Sequence, residues 1–492
     1  MEKTPQLLPG RKHAPASLGR MLVLGLGKSG EAACRYCEGL LGGRVEDITV
    51  AGGDSSAGSL AFADGHGSPQ ARFYFDSTEV EGRFDLCIAS PGISQFDDFY
   101  LNAQKASTEV ISEVEFAWRE SAQDALWVAV TGTNGKSTTT ALAAHILAAS
   151  GRKAVAVGNI GDTCLDAVAA GKADIYVAEV SSYQLASTKY FAPNVAVLLN
   201  ITPDHLAWHK SHEAYVAAKT KVFDNLACNP GAVAVLDATD AEARRIVRGF
   251  KARPREERGF DYIPLGAAAG LDVNMQEACG SENGAYLRDG RLCLSFKGRD
   301  LCFGPVDGLQ IKGRHNAANA LAAATAAAVL GVPEAAIADA LKSFAPLEHR
   351  IEPCGAIAGV ACYNDSKATN VDATLQALCA FGDTRPIVLL GGYDKGTGLE
   401  GLVRGAEEHC KAVVCFGAAG PRFLDAFKGA QVPSFPAAGL EDALDVALEH
   451  AQAGDVVILS PACSSFDEFD DFEHRGTVFK DLVARRTRER GA

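Results

Sequence analysis

The chain has 492 residues, of which 47% are hydrophobic and 22% charged, and this globular composition excludes wholesale disorder. At about 150 residues per domain, the length predicts roughly three domains. Lys and Arg number 47 against 61 Asp and Glu, and a net charge of −14 would repel a phosphate backbone, so we expect no nucleic-acid partner. No apolar run approaches the about 18 residues of a membrane span, and no signal-peptide pattern opens the chain, so we expect a cytoplasmic protein without a membrane partner.

The 14 cysteines include one Cys-x-x-Cys pair, Cys34 and Cys37. A zinc site would need a second pair or nearby histidines, and none follows. A redox role for this pair stays open. The cysteines in general are expected to be small, buried and reduced.

Short Val/Ile/Leu runs recur, each followed by Gly, Ser, Asn or Asp and then by an Ala/Leu-rich stretch. This alternation predicts an α/β fold with parallel sheets. The blocks predict an N-terminal extension, residues 1–19, and three domains, residues 20–118, 119–345 and 346–492. The expected strands are near residues 21–24, 48–50, 86–89, 127–130, 154–157, 175–178, 195–199, 360–363, 387–390, 412–416 and 456–459. The Gly- and Arg-rich region 249–308 predicts short antiparallel strands or loops, and the final ARRTRERGA predicts a solvated tail.

The first block begins with the Gly-rich turn GLGKSG, residues 25–30, directly after a strand. This turn matches the fingerprint of a dinucleotide-binding fold. The acidic residue expected after the second strand is missing, because Val50 leads into Ala51-Gly52-Gly53, which argues against a nicotinamide dinucleotide. The later Ser90-Pro91-Gly92 suits either a nucleotide contact or a simple turn.

A second Gly-rich loop follows the first strand of the middle block and precedes a helix expected over residues 139–149. Its residues are Thr131, Gly132, Thr133, Asn134, Gly135, Lys136, Ser137 and Thr138. Glycines let backbone amides face phosphate oxygens, Lys136 adds a charge, and the Ser137 or Thr138 hydroxyl can reach a magnesium ion. Val130 stands where the usual motif has its first glycine.

Acidic and histidine side chains follow two further strands of the same block. Glu179 ends one strand, and His205 follows the next within NITPDHL. Both are expected at the sheet edge that carries the Gly-rich loop. Glu179 offers the oxygen that magnesium prefers, whereas His205 is a softer and less usual ligand.

Lys219 is predicted on the apolar face of a helix over residues 212–226. Tyr215, Ala218 and Val222 share this face at three- and four-residue spacing, whereas Lys221 is expected to face outward. A lysine on an apolar face is partly a neutral amine, able to pair with an anion or to react with carbon dioxide to give a metal-binding carbamate. Snorkelling of the side chain to solvent is an equal alternative.

The third block opens with an alanine-rich helix on which Asn316 and Asn319 share a face, suited either to an adenine edge or to helix capping. Lysines and hydroxyls then follow three strand ends, in NDSKAT (364–369), GGYDKG (391–396) and SPACSSF (460–466). Such residues at one sheet edge indicate a pocket for an anionic small molecule.

Taken together, these segments resemble the Mur ligase family of peptidoglycan synthesis. The resemblance spans about residues 20–483 and rests on the ordered motifs TGTNGKST, EVSSYQL, NITPDHL, AAKTKVF, GRHNAANALAA and EHRIE. NDSKATN, LGGYDKG and SPACSSFDEFDDFEHRG are most similar to the member that adds D-glutamate. The family implies a Rossmann-like UDP-binding domain, a central ATPase-like domain and a Rossmann-like C-terminal domain.

The resemblance also implies roles for individual residues. The loop from Gly132 to Thr138 would bind ATP phosphates, and Ser137, Glu179, His205 and a carbamylated Lys219 would hold two magnesium ions. Further residues implied at ATP are Asn316, Asn319, Arg350 and Asp365. The residues implied at the UDP-linked substrate are Lys28, Ser29, Ser90, Gly92 and Asn159. The residues implied at D-glutamate are Lys367, Thr369, Lys395, Ser465 and Phe472.

The implied reaction is amide-bond formation. The L-alanine carboxylate of UDP-N-acetylmuramoyl-L-alanine would be phosphorylated by ATP, and the D-glutamate amine would displace phosphate from the acyl phosphate. Lys136, Lys219 and His205 are the implied catalytic residues, and a monomer is expected. The alternatives are a related ligase for another amino acid or for folylpolyglutamate, a nicotinamide-dependent dehydrogenase and a non-catalytic nucleotide-binding regulator.

Overall fold

The computed structural model describes residues 6–266, 279–311, 313–382, 384–394, 396 and 398–490. The chain forms two compact units, one of Met1–Gly308 with Ala318–Lys342 and one of Leu309–Ala317 with Ser343–Ala492. The first unit contains two sheets and the second unit contains one. Helices alternate with parallel strands in all three, which confirms the predicted α/β class.

The first sheet is parallel and has five strands. Its elements are β1 Gly19–Leu24, α1 Lys28–Glu38, β2 Val45–Ala51, α2 Ala57–His66, β3 Ala71–Tyr74, β4 Leu86–Ala89, α3 Asp98–Ala106, β5 Val110–Ser112 and α4 Glu113–Glu120. The strand order is β3-β2-β1-β4-β5. The chain reverses its winding between β1 and β4, and ligands of open α/β sheets bind at such a point.

The second sheet has nine strands. Its strands are β6 Leu126–Thr131, β7 Ala154–Gly158, β8 Ile175–Glu179, β9 Val195–Leu198, β10 Val233–Asp237, β11 Asp261–Gly266, β12 Gly284–Arg288, β13 Arg291–Phe296 and β14 Arg299–Pro305. The helices among them are α5 Lys136–Ala149, α6 Cys164–Ala170, α7 Ser182–Ala186, α8 Leu206–His209, α9 His212–Thr220, α10 Ala241–Lys251 and α11 Arg255–Arg258. The order is β14-β13-β12-β11-β10-β9-β6-β8-β7, antiparallel from β12 to β14 and parallel elsewhere.

Two helices, α12 Arg314–Val329 and α13 Glu334–Ser343, precede the third sheet. The remaining elements are β15 Glu352–Ile357, β16 Val360–Asn364, α14 Val371–Cys379, β17 Ile387–Gly391, α15 Glu400–His409, β18 Ala412–Phe416, α16 Gly420–Ala426, β19 Ser434–Pro436, α17 Leu440–His450, β20 Val456–Leu459 and α18 Phe472–Arg490. The six strands lie in the order β15-β16-β20-β17-β18-β19, with β15 antiparallel to β16. Val/Ile/Leu side chains of the inner strands are fully buried, as parallel strands covered on both faces require.

Three expectations need correction. The helix predicted over residues 212–226 ends at Thr220 and continues as 3-10 turns at Lys221–Phe223 and Leu226–Cys228. The expected tail is helical to Arg490, because Arg486 donates to Asp445 on α17. The region 249–308 does contain the antiparallel strands β12–β14, but it also holds α11 and the parallel strand β11, and its residues 267–278 lie outside the described ranges.

The Cys34-x-x-Cys37 pair lies on α1 with both thiols fully buried. Burial raises the pKa of the Cys34 thiol to about 12 and raises the pKa of Cys37 as well. Redox cysteines need thiolate character, so the structure argues against a redox role for this pair.

No helix within the described ranges combines the length and apolarity needed to cross a membrane.

Candidate active site

The Gly-rich loop of residues 131–138 leads from β6 into α5 and is fixed by neighbouring polar groups. Gly132 and Gly135 have φ of 155° and 83°, conformations that favour glycine. The Asn134 amide donates to Oδ1 of Asn200 at 2.8 Å, and Nδ2 of Asn200 donates to the Asn134 carbonyl at 3.1 Å. The Thr133 hydroxyl bonds the Tyr215 hydroxyl at 2.9 Å. The loop is thus held in shape by the residues that follow β9 and by α9.

The predicted residue Asn319 lies against this loop. A Cβ atom placed on Gly135 would stand 2.3 Å from Oδ1 of Asn319 and 3.1 Å from Cδ1 of Leu199. Gly135 is therefore required by close packing as well as by its backbone angle. Asn316 is buried and belongs to the other unit.

Two lysine amines converge on the Gly132 carbonyl oxygen. Nζ of Lys136 donates to it at 3.0 Å and to the Thr133 carbonyl at 2.7 Å. Nζ of Lys219 donates to the same Gly132 oxygen at 2.7 Å. Lys219 is only 2% exposed, so the side chain does not snorkel to solvent. Lys221 is half-buried, with its amine on the Ala186 carbonyl, and does not face outward as expected.

Burial lowers the pKa of Lys219 well below its ordinary value, and the neighbouring Lys136 charge lowers it further, against the opposing effects of Asp204 and Glu179. The amine of Lys219 also lies 4.7 Å from the centre of the Tyr215 ring. A neutral amine is the form that reacts with carbon dioxide. This environment fits the predicted carbamate.

Glu179 fits a magnesium ligand. Glu179 ends β8 and pairs in register with Val130 on β6, so it lies beside the start of the loop. Glu179 is 4% exposed, and no described group donates to its buried Oε2. A buried carboxylate oxygen without a donor is costly unless a cation or ligand reaches it. Ser137, 2% exposed on the first turn of α5, adds a hydroxyl.

Within the described ranges, no three His, Cys, Asp or Glu side chains group as a metal cluster. Magnesium usually binds one or two carboxylates together with substrate phosphates and water, so a full cluster of protein ligands is not what this ion requires.

His205 and a histidine not singled out in the sequence, His209, both lie near Tyr183. His205 directly precedes α8 with a φ of 55°, and its Nε2 lies 3.5 Å from Oδ2 of Asp204. His209 is fully buried, with Nε2 on the Ser182 hydroxyl at 2.9 Å. Burial, with the nearby His205 and Lys219 charges, lowers the pKa of His209 to about 4, so its ring is neutral at pH 7.

A cavity of about 910 Å³ in the first unit brings together all five residues expected at the UDP-linked substrate. They are Lys28, Ser29, Ser90, Gly92 and Asn159. The Ser90 hydroxyl donates to the Gly25 carbonyl at 2.9 Å, which ties β4 to the Gly-rich turn. Thr163 and Gln184 also line this cavity and were not predicted.

Glu179 links a residue of the cavity to the start of the Gly-rich loop. The backbone amide of Asn159, which lines the cavity, donates to the Glu179 carbonyl at 3.1 Å, and Glu179 pairs in register with Val130, which directly precedes the loop. A substrate that extends from the cavity past Asn159 would therefore reach the loop.

In the second unit, Asp365 follows β16 and is 3% exposed. It accepts from the Ser460 hydroxyl at 2.7 Å and from the Ile351 amide at 3.3 Å. Burial raises the pKa of Asp365 to about 7, although Arg350 opposes the shift. Arg350 lies between His349 and Ile351, both in the left-handed region with φ of 61° and 45°, and its buried Nε has no acceptor among the described residues.

Three of the residues expected at D-glutamate follow strands of the third sheet, Lys367 and Thr369 after β16 and Ser465 after β20, whereas Phe472 begins α18. Nζ of Lys367 lies 5.1 Å from the centre of the Phe472 ring, Ser465 is buried, and Thr369 is two residues from Lys367. Lys395 lies outside the described residues.

Arg475, which lies within the motif SPACSSFDEFDDFEHRG but had no predicted role, is fully buried behind two of these loops. Its Nη2 donates to the Ser366 and Cys463 carbonyls at 2.8 and 3.1 Å, and its Nη1 donates to the Ser464 carbonyl at 3.0 Å. Burial lowers the pKa of this guanidinium to about 10. Arg475 is a positioning residue, because it joins the loop of Lys367 to the loop of Ser465.

The fold and the Gly-rich loop are typical of nucleotide-binding α/β proteins, and the first unit also contains the cavity lined by Lys28 and Asn159. The Mur ligase middle-domain model matches residues 130–327, and the Mur ligase glutamate ligase domain model matches residues 349–463. The UDP-N-acetylmuramoylalanine–D-glutamate ligase of Thermoanaerobacter pseudethanolicus is 36% identical, over 94% of this chain and 98% of that protein. The ligase of the same name from Salinibacter ruber is 37% identical, over 94% and 97%. The chain belongs to the Mur ligase family.

Solved structures share the fold. The UDP-N-acetylmuramate-alanine ligase of Thermotoga maritima matches with a TM-score of 0.55 at 18% identity, covering 95% of this chain and 99% of that one. A pseudomurein peptide ligase type C from Methanothermus fervidus matches with a TM-score of 0.55 at 17% identity, covering 95% and 99%.

Proposed function

We propose that this chain is an ATP-dependent ligase that adds D-glutamate to UDP-N-acetylmuramoyl-L-alanine through an acyl phosphate, as a cytoplasmic monomer. One observation carries the proposal: Asn159, which lines the cavity, bonds the backbone of Glu179, and Glu179 pairs with Val130 at the start of the loop that Lys136 and Lys219 contact. A ligase of this type needs the carboxylate of its nucleotide-linked substrate beside the transferable phosphate, and this junction supports that placement. The relatives' names, which specify D-glutamate, support the choice of amino acid.

Phosphoryl transfer depends on positioning and charge neutralisation more than on a base. The loop amides and Lys136 would hold the triphosphate, with Asn319 beside the loop. Asn316, Arg350 and Asp365 are the further residues proposed to bind ATP. Two magnesium ions would be held by Ser137, Glu179, His205 and carbamylated Lys219, and would neutralise phosphate charge. Lys367, Thr369, Lys395, Ser465 and Phe472 would hold D-glutamate with its amine directed at the acyl carbon. We also propose three domains for this ligase, residues 20–118 for the UDP-linked substrate, 119–345 for ATP and 346–492 for the amino acid.

The test is phosphate release from ATP and magnesium with UDP-N-acetylmuramoyl-L-alanine, with and without D-glutamate, with L-glutamate and L-alanine as controls. We expect release that requires D-glutamate, and a product heavier by one glutamyl residue in mass spectrometry. Release that requires a different amino acid would keep the ligase mechanism and overturn the D-glutamate pocket. Absence of turnover with every amino acid would overturn the proposal in favour of a nucleotide-binding regulator.

A further inference from the structure

Two cysteines lie side by side on the antiparallel strands at the edge of the second sheet, in the part of that sheet farthest from β7. Cys293 on β13 and Cys302 on β14 are register partners, next to a register shift between Leu292 and Cys293. Their Sγ atoms are 3.8 Å apart. A disulfide requires about 2.05 Å, a distance that small side-chain rotations can close from here.

The environments of the two thiols differ. Nε of Arg291 donates to Sγ of Cys302 at 3.0 Å, while the Cys293 thiol donates to the same sulfur. Burial raises the pKa of Cys302, but the bonds from Arg291, the Gly304 amide and Cys293 outweigh it, so the pKa is lowered overall. Burial raises the pKa of Cys293 to about 11. Cys302 is therefore the more acidic of the two thiols, and its sulfur accepts hydrogen bonds from Arg291 and from the Cys293 thiol.

Solvent reaches the Cys302 thiol more readily than the Cys293 thiol. Cys302 is partly exposed, whereas Cys293 is 5% exposed. A low-pKa, accessible thiolate beside a second thiol is the arrangement of a peroxide-sensitive cysteine with a resolving partner.

We propose that Cys302 and Cys293 form an oxidation site that reacts with small hydroperoxides to give a reversible cross-strand disulfide. The Cys302 thiolate attacks the terminal peroxide oxygen, the O–O bond breaks, and the alkoxide or hydroxide leaving group takes a proton from water. The resulting Cys302 sulfenic acid is attacked by the Cys293 sulfur, which loses its proton as the hydroxyl leaves as water. Two thiols are oxidised to one disulfide, and one hydroperoxide is reduced to an alcohol or water. A thiol reductant reverses the modification.

The experiment treats the full-length protein with hydrogen peroxide for timed intervals, alkylates the remaining thiols and maps them by mass spectrometry. We expect a Cys293–Cys302 disulfide to form before Cys228 and Cys379 are modified, although these two are more exposed. Preferential oxidation of Cys228 or Cys379, or a pair that stays reduced, would overturn the proposal.

Variants assign the two roles. Cys293→Ser should leave a sulfenic acid on Cys302 that a dimedone-type reagent captures, whereas Cys302→Ser should abolish rapid oxidation at residue 293. Arg291→Gln should slow oxidation of Cys302 roughly 5-fold near pH 7, because its thiolate fraction falls. Arg299→Gln removes the same charge from an exposed site on β14 and should leave the rate unchanged. Equal rates for the two arginine variants, both with wild-type circular dichroism, would show that Arg291 does not activate the thiol.

Discussion

Lys219 shows how one buried side chain sets the chemistry of a site. Its amine bonds a loop carbonyl and lies among aromatic and charged neighbours, where the cation is disfavoured. Lys219→Ala should lower ligase activity at least about 100-fold, because the proposed metal-binding carbamate could no longer form. Formate or acetate in the assay should restore part of this activity by occupying the vacated space.

The matched control is Lys221→Ala, which removes an amine two residues away that bonds the Ala186 carbonyl. This variant should retain most of its activity and should not respond to added carboxylates. If short carboxylates left Lys219→Ala unchanged, the carbamate role would be contradicted.

Glu113 provides a prediction about pH. The side chain is fully buried and accepts from the Leu165 amide at 2.5 Å, and burial raises its pKa to about 7. Between the unfolded carboxyl pKa of about 4.5 and pH 7 the folded state binds more protons, so the free energy of unfolding falls as pH rises through this window. Glu113→Gln mimics the protonated form and should remove this dependence.

Urea unfolding at pH 5 and pH 8 provides the measurement. The quantity to compare is the free energy of unfolding of Glu113→Gln minus that of wild type. This difference should be more favourable to the variant at pH 8 than at pH 5, by roughly 1–3 kcal/mol. A difference between variant and wild type that does not change with pH would show that Glu113 titrates normally.

At the scale of elements, the turn between β6 and α5 can be tested with two glycines that flank the same helix. Gly135 and Gly151 have nearly equal φ angles, 83° and 86°. An added Cβ meets Asn319 at the first position and nothing within 4 Å at the second. Each alanine variant should lose about 1 kcal/mol of stability from backbone strain. Only Gly135→Ala should also raise the KM for ATP, by at least roughly 10-fold.

Steady-state kinetics with varied ATP distinguishes the two variants. An unchanged KM in Gly135→Ala would mean that the loop tolerates displacement of Asn319.

Much of this element-scale organisation could be predicted from sequence. Parallel strands place their carboxyl ends on one edge, so the positions of Lys136, Glu179 and His205 after their strands were enough to predict a shared site. The three- and four-residue spacing around Lys219 predicted its place on the apolar face, even though the helix itself ends early. The spacing left burial and snorkelling as equal alternatives, and the structure shows the side chain buried.

The residues that escaped prediction depend on contacts between distant segments. His209 could not be singled out from the sequence, because its position in the site depends on its contacts with Ser182 and Tyr183. Arg475 resembles any helical arginine until the carbonyls of two separate loops surround it. The Cys293–Cys302 pair could not be predicted, because the two residues meet only through the strand register next to a bulge. Cys34 and Cys37 are close in sequence, but both are buried.

At the scale of the whole molecule, the segment before β1 fastens separate parts of the first unit together. Its His13 ring stacks on Tyr190 at 4.4 Å, and its amide donates to the Arg119 carbonyl. The Pro15 carbonyl accepts from Nη2 of Arg44 at 2.7 Å. His13→Ala should therefore lower the free energy of unfolding by about 1–2 kcal/mol.

Gln6→Ala changes an exposed side chain of the same segment and serves as the control. Thermal unfolding should show a lower Tm for His13→Ala alone. Equal Tm values for both variants and wild type would show that the segment does not fasten the unit.

Arg475 has a consequence for the thermodynamics of ligand capture. Because one guanidinium already joins the loops of Ser366 and Ser464, those loops are ordered before any ligand arrives. Binding of the proposed anionic amino acid there would not have to overcome the conformational entropy of two free loops, so more of the contact enthalpy would remain as affinity. At the proposed site, selectivity between enantiomers would then rest on rigid geometry.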